Sequence, residues 1–252
     1  AYLESDGLLH DVSGWLLIDW ASVYSSGCSS TLNALYARAL EDLADMARWL
    51  GNEGTARWAD GLRCGISEAF DVFYDEGRGV YIDHVVDGTA MRPAAQHPGA
   101  SALAAGLVPA ERIDSVVAGL VDRSRLLKHS FVMQTVNVEG GGMDVGPLIN
   151  GMPEPTWDVE SQMVEAEPFF RYVLDRGETS WPECWLGGTR CHGWSSTPTR
   201  DLVVHVLGIS PAEPGYGTVL VNPALGDLEW ARATVPTPHG PITVEARSDG
   251  SI

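Results

Sequence analysis

Residues 30–51 read STLNALYARALEDLADMARWLG, and the fold class turns on how they are read. Leu32, Leu35, Tyr36, Ala39, Leu43, Met46, Ala47 and Leu50 recur at intervals of three and four, the period of one helix face. Ser30 or Thr31 can cap the start, and Gly51 stands where a helix ends. The pattern resumes after a short turn, with Thr55 as the next cap. Trp58, Leu62, Ile66, Phe70 and Phe73 then form the expected buried stripe of a second helix. So short a connection permits only antiparallel neighbours, and the spacing predicts a helical hairpin.

Working outward, DEGRGVYIDH (75–84) carries turn residues around Val80-Tyr81-Ile82 and predicts a loop with a small hairpin. Helix is expected again from about Pro98 to Leu107. A fourth helix starts at Pro109, with Ile113, Val116, Val117, Leu120 and Val121 on one face. NVEGGGMDVGPLINGMPEPTWD (137–158) is Gly- and Pro-rich and has no period, as functional loops often do. Helices are expected near Glu160–Asp175 and from Pro198 to Leu207. ISPAEPGYG (209–217) reads as a linker. VLVNP, LEWARATVP and PITVEAR follow as about three short strands. Three strands alone are marginal, so they are expected to pack on helices or pair with more strands.

The composition narrows the function. Hydrophobic residues are 44% and charged residues 20%, an ordinary globular balance. A formal net charge of -18, with only 16 Lys and Arg, argues against a nucleic-acid partner and against an anionic membrane surface. No apolar run approaches transmembrane length. Four cysteines in 252 residues make no disulfide framework, although Cys184 and Cys191 could bridge across a tight loop. The chain opens on Ala1 and stops soon after the third strand, so further sequence is expected at both ends.

One stretch concentrates chemistry. TSWPECWLGGTRCHGWSSTPTR (179–200) sets Trp181, Trp185 and Trp194 around Glu183, Arg190 and His192. Tryptophans desolvate a neighbouring carboxyl and raise its pKa, which suits acid/base work. The blander reading makes Glu183 a solvated surface acid and the tryptophans core. Cys184, Cys191 and His192 lack the paired short spacings of a zinc site, so no metal and no cofactor are expected. Asp19, in LIDW (17–20), could equally cap a local turn.

Taken in order, the motifs LIDW (17–20), STLNALYARALEDLADMARWLG (30–51), QHPGASALAAGL (96–107), TSWPECW (179–185), CHGWSSTP (191–198) and LGDLEWARATVPTPHGPITVEAR (225–247) resemble the C-terminal half of bacterial α-L-rhamnosidases. The resemblance implies a mainly α fold. It would be part of an (α/α)6 barrel over residues 1–207, then a truncated antiparallel β-sandwich over 208–252. It also implies an inverting glycoside hydrolase acting on a rhamnose-containing glycoside or oligosaccharide. Glu183 matches the family general base. Asp19, Trp20, Trp185 and His192 fall at substrate-binding positions. The family general acid lies on a segment that no residue here matches, so the 252 residues are expected to be inactive by themselves. Two rivals stand beside this reading: another (α/α)6-barrel glycosidase, or a carbohydrate-binding remnant without chemistry.

Overall fold

A computed structural model of the chain describes residues 2–14, 16, 23–126, 177–180, 190–191, 202–226 and 228–252. They fall into two compact units, Ala1–Ala166 and Glu167–Ile252. The expected helices at 160–175 and the Gly/Pro-rich strip at 137–158 lie outside the described residues. So does 198–201 of the helix expected to end at Leu207.

The first unit opens with a turn closed by a bridge between Leu3 and Leu9. Strand β1 (Cys28–Ser29) then leads directly into helix α1 (Ser30–Trp49). The cap is Ser29 rather than Ser30 or Thr31, and its hydroxyl accepts the Leu32 N–H at 3.4 Å. Ser30 is instead buried, donating its hydroxyl to the carbonyls of Ile82 (2.7 Å) and Asp83 (2.9 Å). Gly51, at φ 71°, ends α1 as expected, with its N–H on the Arg48 carbonyl. Helix α2 (Glu53–Ala69) is capped by Asn52, whose side chain accepts the Thr55 N–H at 3.1 Å. Thr55 is therefore inside the helix.

The helical hairpin is present, but its buried faces differ from the expected ones. In α1 the buried stripe is Asn33, Ala34, Ala37, Leu40, Ala44 and Ala47. Leu35 (52% exposed), Met46, Trp49 and Leu50 (85%) point outward. In α2 the buried residues are Ala56, Ala59 and Ile66, and Trp58 is exposed. Small side chains let the two helix axes approach closely, so the alanines take the contact and the long residues are displaced from it.

A 3-10 turn (Phe70–Phe73) carries the chain into the hairpin β2 (Tyr74–Asp75) and β3 (Val80–Tyr81). Phe70 and Phe73 meet edge to face at 5.1 Å, and Phe70 lies 5.5 Å from Tyr81. Arg112 sits 4.1 Å over the Tyr74 ring and pairs with Asp71. Strands β4 (His84–Val86) and β5 (Thr89–Ala90) join β1 in the order β1-β4-β5, all antiparallel. Helix α3 (Gln96–Ala104) starts before Pro98. Pro109 introduces a 3-10 turn (Ala110–Arg112) ahead of α4 (Ile113–Leu126). On α4, Val116 is buried, while Ile113 and Val117 are exposed.

In the second unit, Leu202–Val206 forms a π-helical turn. The expected linker is in fact a strand, β6 (Ile209–Pro211), paired with β7 (Val219–Val221). Pro211 cannot donate a ladder bond and stands at the strand's end, where Ala212 N–H takes over to the Thr218 carbonyl. Strands β8 (Trp230–Val235) and β9 (Ile242–Arg247) pair over their whole length. The register puts Ala231, Ala233 and Val235 opposite Ala246, Val244 and Ile242 on one face. That face joins Leu207 and Ile209 in a small core. Among the described residues there are thus four strands here rather than three, in two antiparallel hairpins. No described helix is long and apolar enough to cross a membrane.

Candidate functional site

The five residues singled out from the sequence, Asp19, Trp20, Glu183, Trp185 and His192, all lie outside the described residues. The described structure shows instead the chain on either side of them, once in each unit.

In the first unit the chain downstream of Trp20 is held at Tyr24 and Ser26 by two neighbouring residues, Asp83 and His84. Asp83 is fully buried, at 0% exposure. One carboxylate oxygen accepts the Ala95 N–H at 2.5 Å and the other the Tyr24 N–H at 3.3 Å. The Tyr24 ring stacks on the His84 ring at 5.4 Å and 17°. His84 Nδ1 lies 2.8 Å from the Ser26 carbonyl, and since a carbonyl only accepts, that nitrogen carries the proton. Burial pushes the Asp83 carboxyl above its usual range, and the two backbone N–H bonds and the neighbouring His84 and His97 pull the other way. Both oxygens are occupied by backbone donors, so Asp83 holds structure and does not reach a ligand.

A cavity of about 210 Å³ opens nearby, lined by Asp6, His10, Asp11, Cys28, Val85 and Asp87 among others. Asp6 pairs with His10 at 2.8 Å and also accepts the Leu8 N–H. Burial pushes the Cys28 thiol up to about 12, so it stays protonated and inert. Asn33 ties this turn to α1. Its side chain accepts from Leu9 N–H (2.8 Å) and donates toward the carbonyls of Leu9 (3.1 Å) and Ser29 (2.9 Å).

In the second unit, residues 177–180 and 190–191 flank the stretch that carries Glu183. The Ser180 hydroxyl donates to the Arg190 carbonyl at 2.6 Å, and the Arg190 guanidinium meets Glu178 at 3.0 Å. The two ends of that stretch are therefore pinned together. Cys191 is an exposed free thiol, and Cys184, its expected partner across the loop, lies outside the described residues.

Asp83, His84 and Asn33 were not singled out from the sequence. They work through partners far away along the chain, and no periodicity marks such residues. The only sequence trace is a pair of polar residues, Asp83-His84, interrupting an apolar run from Val80 to Val86.

Residues 208–251 match the family described as bacterial alpha-L-rhamnosidase C-terminal domain. Among solved structures, the chain resembles the GH78 family rhamnosidase of Bacillus sp. GL1, with 22% identity and a TM-score of 0.67. That likeness covers 98% of this chain and 26% of the other. The α-L-rhamnosidase of Dictyoglumus thermophilum (17% identity, TM-score 0.55) is matched over 85% of this chain and 24% of its own. That of Aspergillus terreus (20%, 0.52) is matched over 86% and 25%. No curated protein matches the chain. The chain thus resembles the C-terminal region of α-L-rhamnosidases, and it spans about a quarter of the length of the solved structures it matches.

Proposed function

We propose that this chain is part of an inverting glycoside hydrolase that removes terminal α-L-rhamnosyl residues from glycosides. The observation that carries the reading is the family match over residues 208–251, reinforced by a fold likeness to a rhamnosidase along 98% of the chain. In this reading residues 1–207 contribute helices to an (α/α)6 barrel, and residues 208–252 begin a β-sandwich. Glu183 deprotonates the attacking water. Asp19 and His192 bind sugar hydroxyls, while Trp20 and Trp185 wall the ring. Inversion requires a second carboxyl, roughly 6.5–9.5 Å from the base, to protonate the leaving oxygen. No residue here matches the family segment that bears it, so these 252 residues do not turn over rhamnosides alone.

The test is hydrolysis of a chromogenic α-L-rhamnoside by this chain, and by a chimaera carrying a rhamnosidase acid-bearing segment ahead of Ala1. Each is assayed with and without Glu183→Gln. Activity is expected only in the chimaera, and the substitution should reduce it by 10²–10⁴-fold, the usual worth of a positioned base. Glu183-dependent activity from the chain alone would place the acid within it. A chimaera that binds L-rhamnose but never hydrolyses a rhamnoside would favour the non-catalytic reading.

A further inference from the structure

Helix α1 is apolar on two opposite sides. One side is the buried stripe of Ala34, Ala37, Leu40, Ala44 and Ala47. At about 100° per residue, Leu35, Ala39, Asp42, Met46, Trp49 and the capping Leu50 fall on the other side, and all six are exposed. Trp49 leaves 62% of its surface to solvent. Single exposed hydrophobics are ordinary on a monomer, whereas a contiguous row of large ones marks an interaction surface. A helix that is apolar on both sides is satisfied when both are covered. We propose that this row is a self-association surface, across which α1 of one copy packs antiparallel on α1 of a second copy.

Three observations favour a second copy of this chain as the occupant. First, the row is self-complementary. Leu35 and Leu50 are equidistant from a point between Asp42 and Leu43, and so are Ala39 and Met46. A two-fold axis at that point sets Leu35 of each copy against Leu50 of the other, and the long Met46 over the small Ala39. Second, the charges on the row balance. Its acid, Asp42, pairs at 3.0 Å with Arg38 one turn earlier, so each copy brings a neutral face to the contact. Two chains of formal charge -18 repel at long range, but that repulsion is screened beyond about 10 Å at 0.1 M salt. Third, direction matters. An antiparallel crossing sets the N-terminus of one helix beside the C-terminus of the other, so the helix dipoles attract. A parallel crossing loses both that attraction and the fit of Met46 over Ala39.

The experiment is sedimentation equilibrium of the whole chain at low and raised salt, with the variants Leu35→Glu, Leu50→Lys and Trp49→Ala. The wild type should dimerise, and more tightly as salt is raised. Leu35→Glu and Leu50→Lys each place an unpaired charge in the contact and should weaken the dimer by on the order of tenfold or more. Trp49→Ala should weaken it on the order of tenfold. An equimolar mixture of Leu35→Glu and Leu50→Lys should associate again, because the antiparallel crossing brings the two substituted positions together with opposite charge. The substituted side chains are exposed, and unchanged amide protection in α1 and α2 shows that each variant is folded. A chain that stays monomeric at raised salt overturns the inference. So does a dimer indifferent to these substitutions, or a mixture of the two charged variants that stays apart. None of these outcomes bears on the rhamnosidase reading.

Discussion

The two units are held in different ways. The first has a large core in which Ile66, Phe70, Phe73, Tyr81 and Ile82 pack against the alanines of α1 and α2. It is fastened by a few buried polar side chains reaching across long stretches of sequence, as Asn33 does to Leu9 and Ser30 to Ile82. Among the described residues of the second unit, Leu207, Ile209, Val244 and Ala246 are buried, and two local hairpin ladders pair the backbone. One unit concentrates its stability in a handful of positions; the other spreads it along paired backbones. Single substitutions should therefore be more damaging in the first.

The largest contrast is expected between Phe70→Ala and Ile209→Ala. Phe70 is 1% exposed inside an aromatic cluster, and its loss should cost about 3–5 kcal/mol. Ile209 is equally buried, but its cluster is small and ringed by partly buried side chains that can close over the gap, so about 2–3 kcal/mol is expected. Urea midpoints, read through amides of the affected unit, give both values, and equal losses would break the comparison.

Asn33→Leu comes next, at about 2–3 kcal/mol, because it leaves the Leu9 N–H and C=O without their partner. Accelerated exchange at Leu9 and an unaltered β8–β9 hairpin would confirm that the damage is local to the first unit's polar fastening. Retained Leu9 protection would show that the turn does not depend on Asn33.

Asp83 supplies a pH signature. Burial, the largest influence, raises its carboxyl above the ordinary value, so the fold favours the protonated acid. Its contribution is therefore present below the ordinary carboxylate pKa and is lost as pH rises through the raised value. The stability difference between wild type and Asp83→Asn should move in the variant's favour as pH rises above the ordinary carboxylate pKa. Urea midpoints at a series of pH values measure it, and a difference independent of pH would mean that Asp83 does not titrate over this range. Smallest of all, Arg38→Ala removes a half-exposed pair with Asp42 and should change stability by less than about 0.5 kcal/mol.

The sequence was legible where the signal was local. The α1–α2 hairpin, the β2–β3 turn, and strands β7, β8 and β9 all follow from periodicity and turn residues. The helix faces were misread because a pattern weighted by side-chain size follows Leu35, Met46 and Leu50, whereas close helix packing selects Ala37, Ala44 and Ala56. Strand β6 reads as a linker because Pro211 and the Pro and Gly beyond it outweigh Ile209-Ser210. Its pairing with Val219–Val221 is a tertiary fact. The candidate site residues come from family resemblance to short motifs, while the anchoring contacts of Asp83 and His84 are defined only between segments distant in sequence.

The pinned ends at Ser180 and Arg190 have a consequence for how this protein can change over time. Bringing together the ends of a free stretch of about ten residues costs on the order of 2 kcal/mol in chain entropy beyond a constant, and doubling the length adds only about 0.6 kcal/mol. With the Ser180 hydroxyl on the Arg190 carbonyl, the two ends are fixed by residues outside the stretch between them. Lengthening the stretch between 180 and 190 then adds little to the closure already made at its ends. Insertions between them are expected to leave the closing contact of Ser180 with Arg190 unchanged.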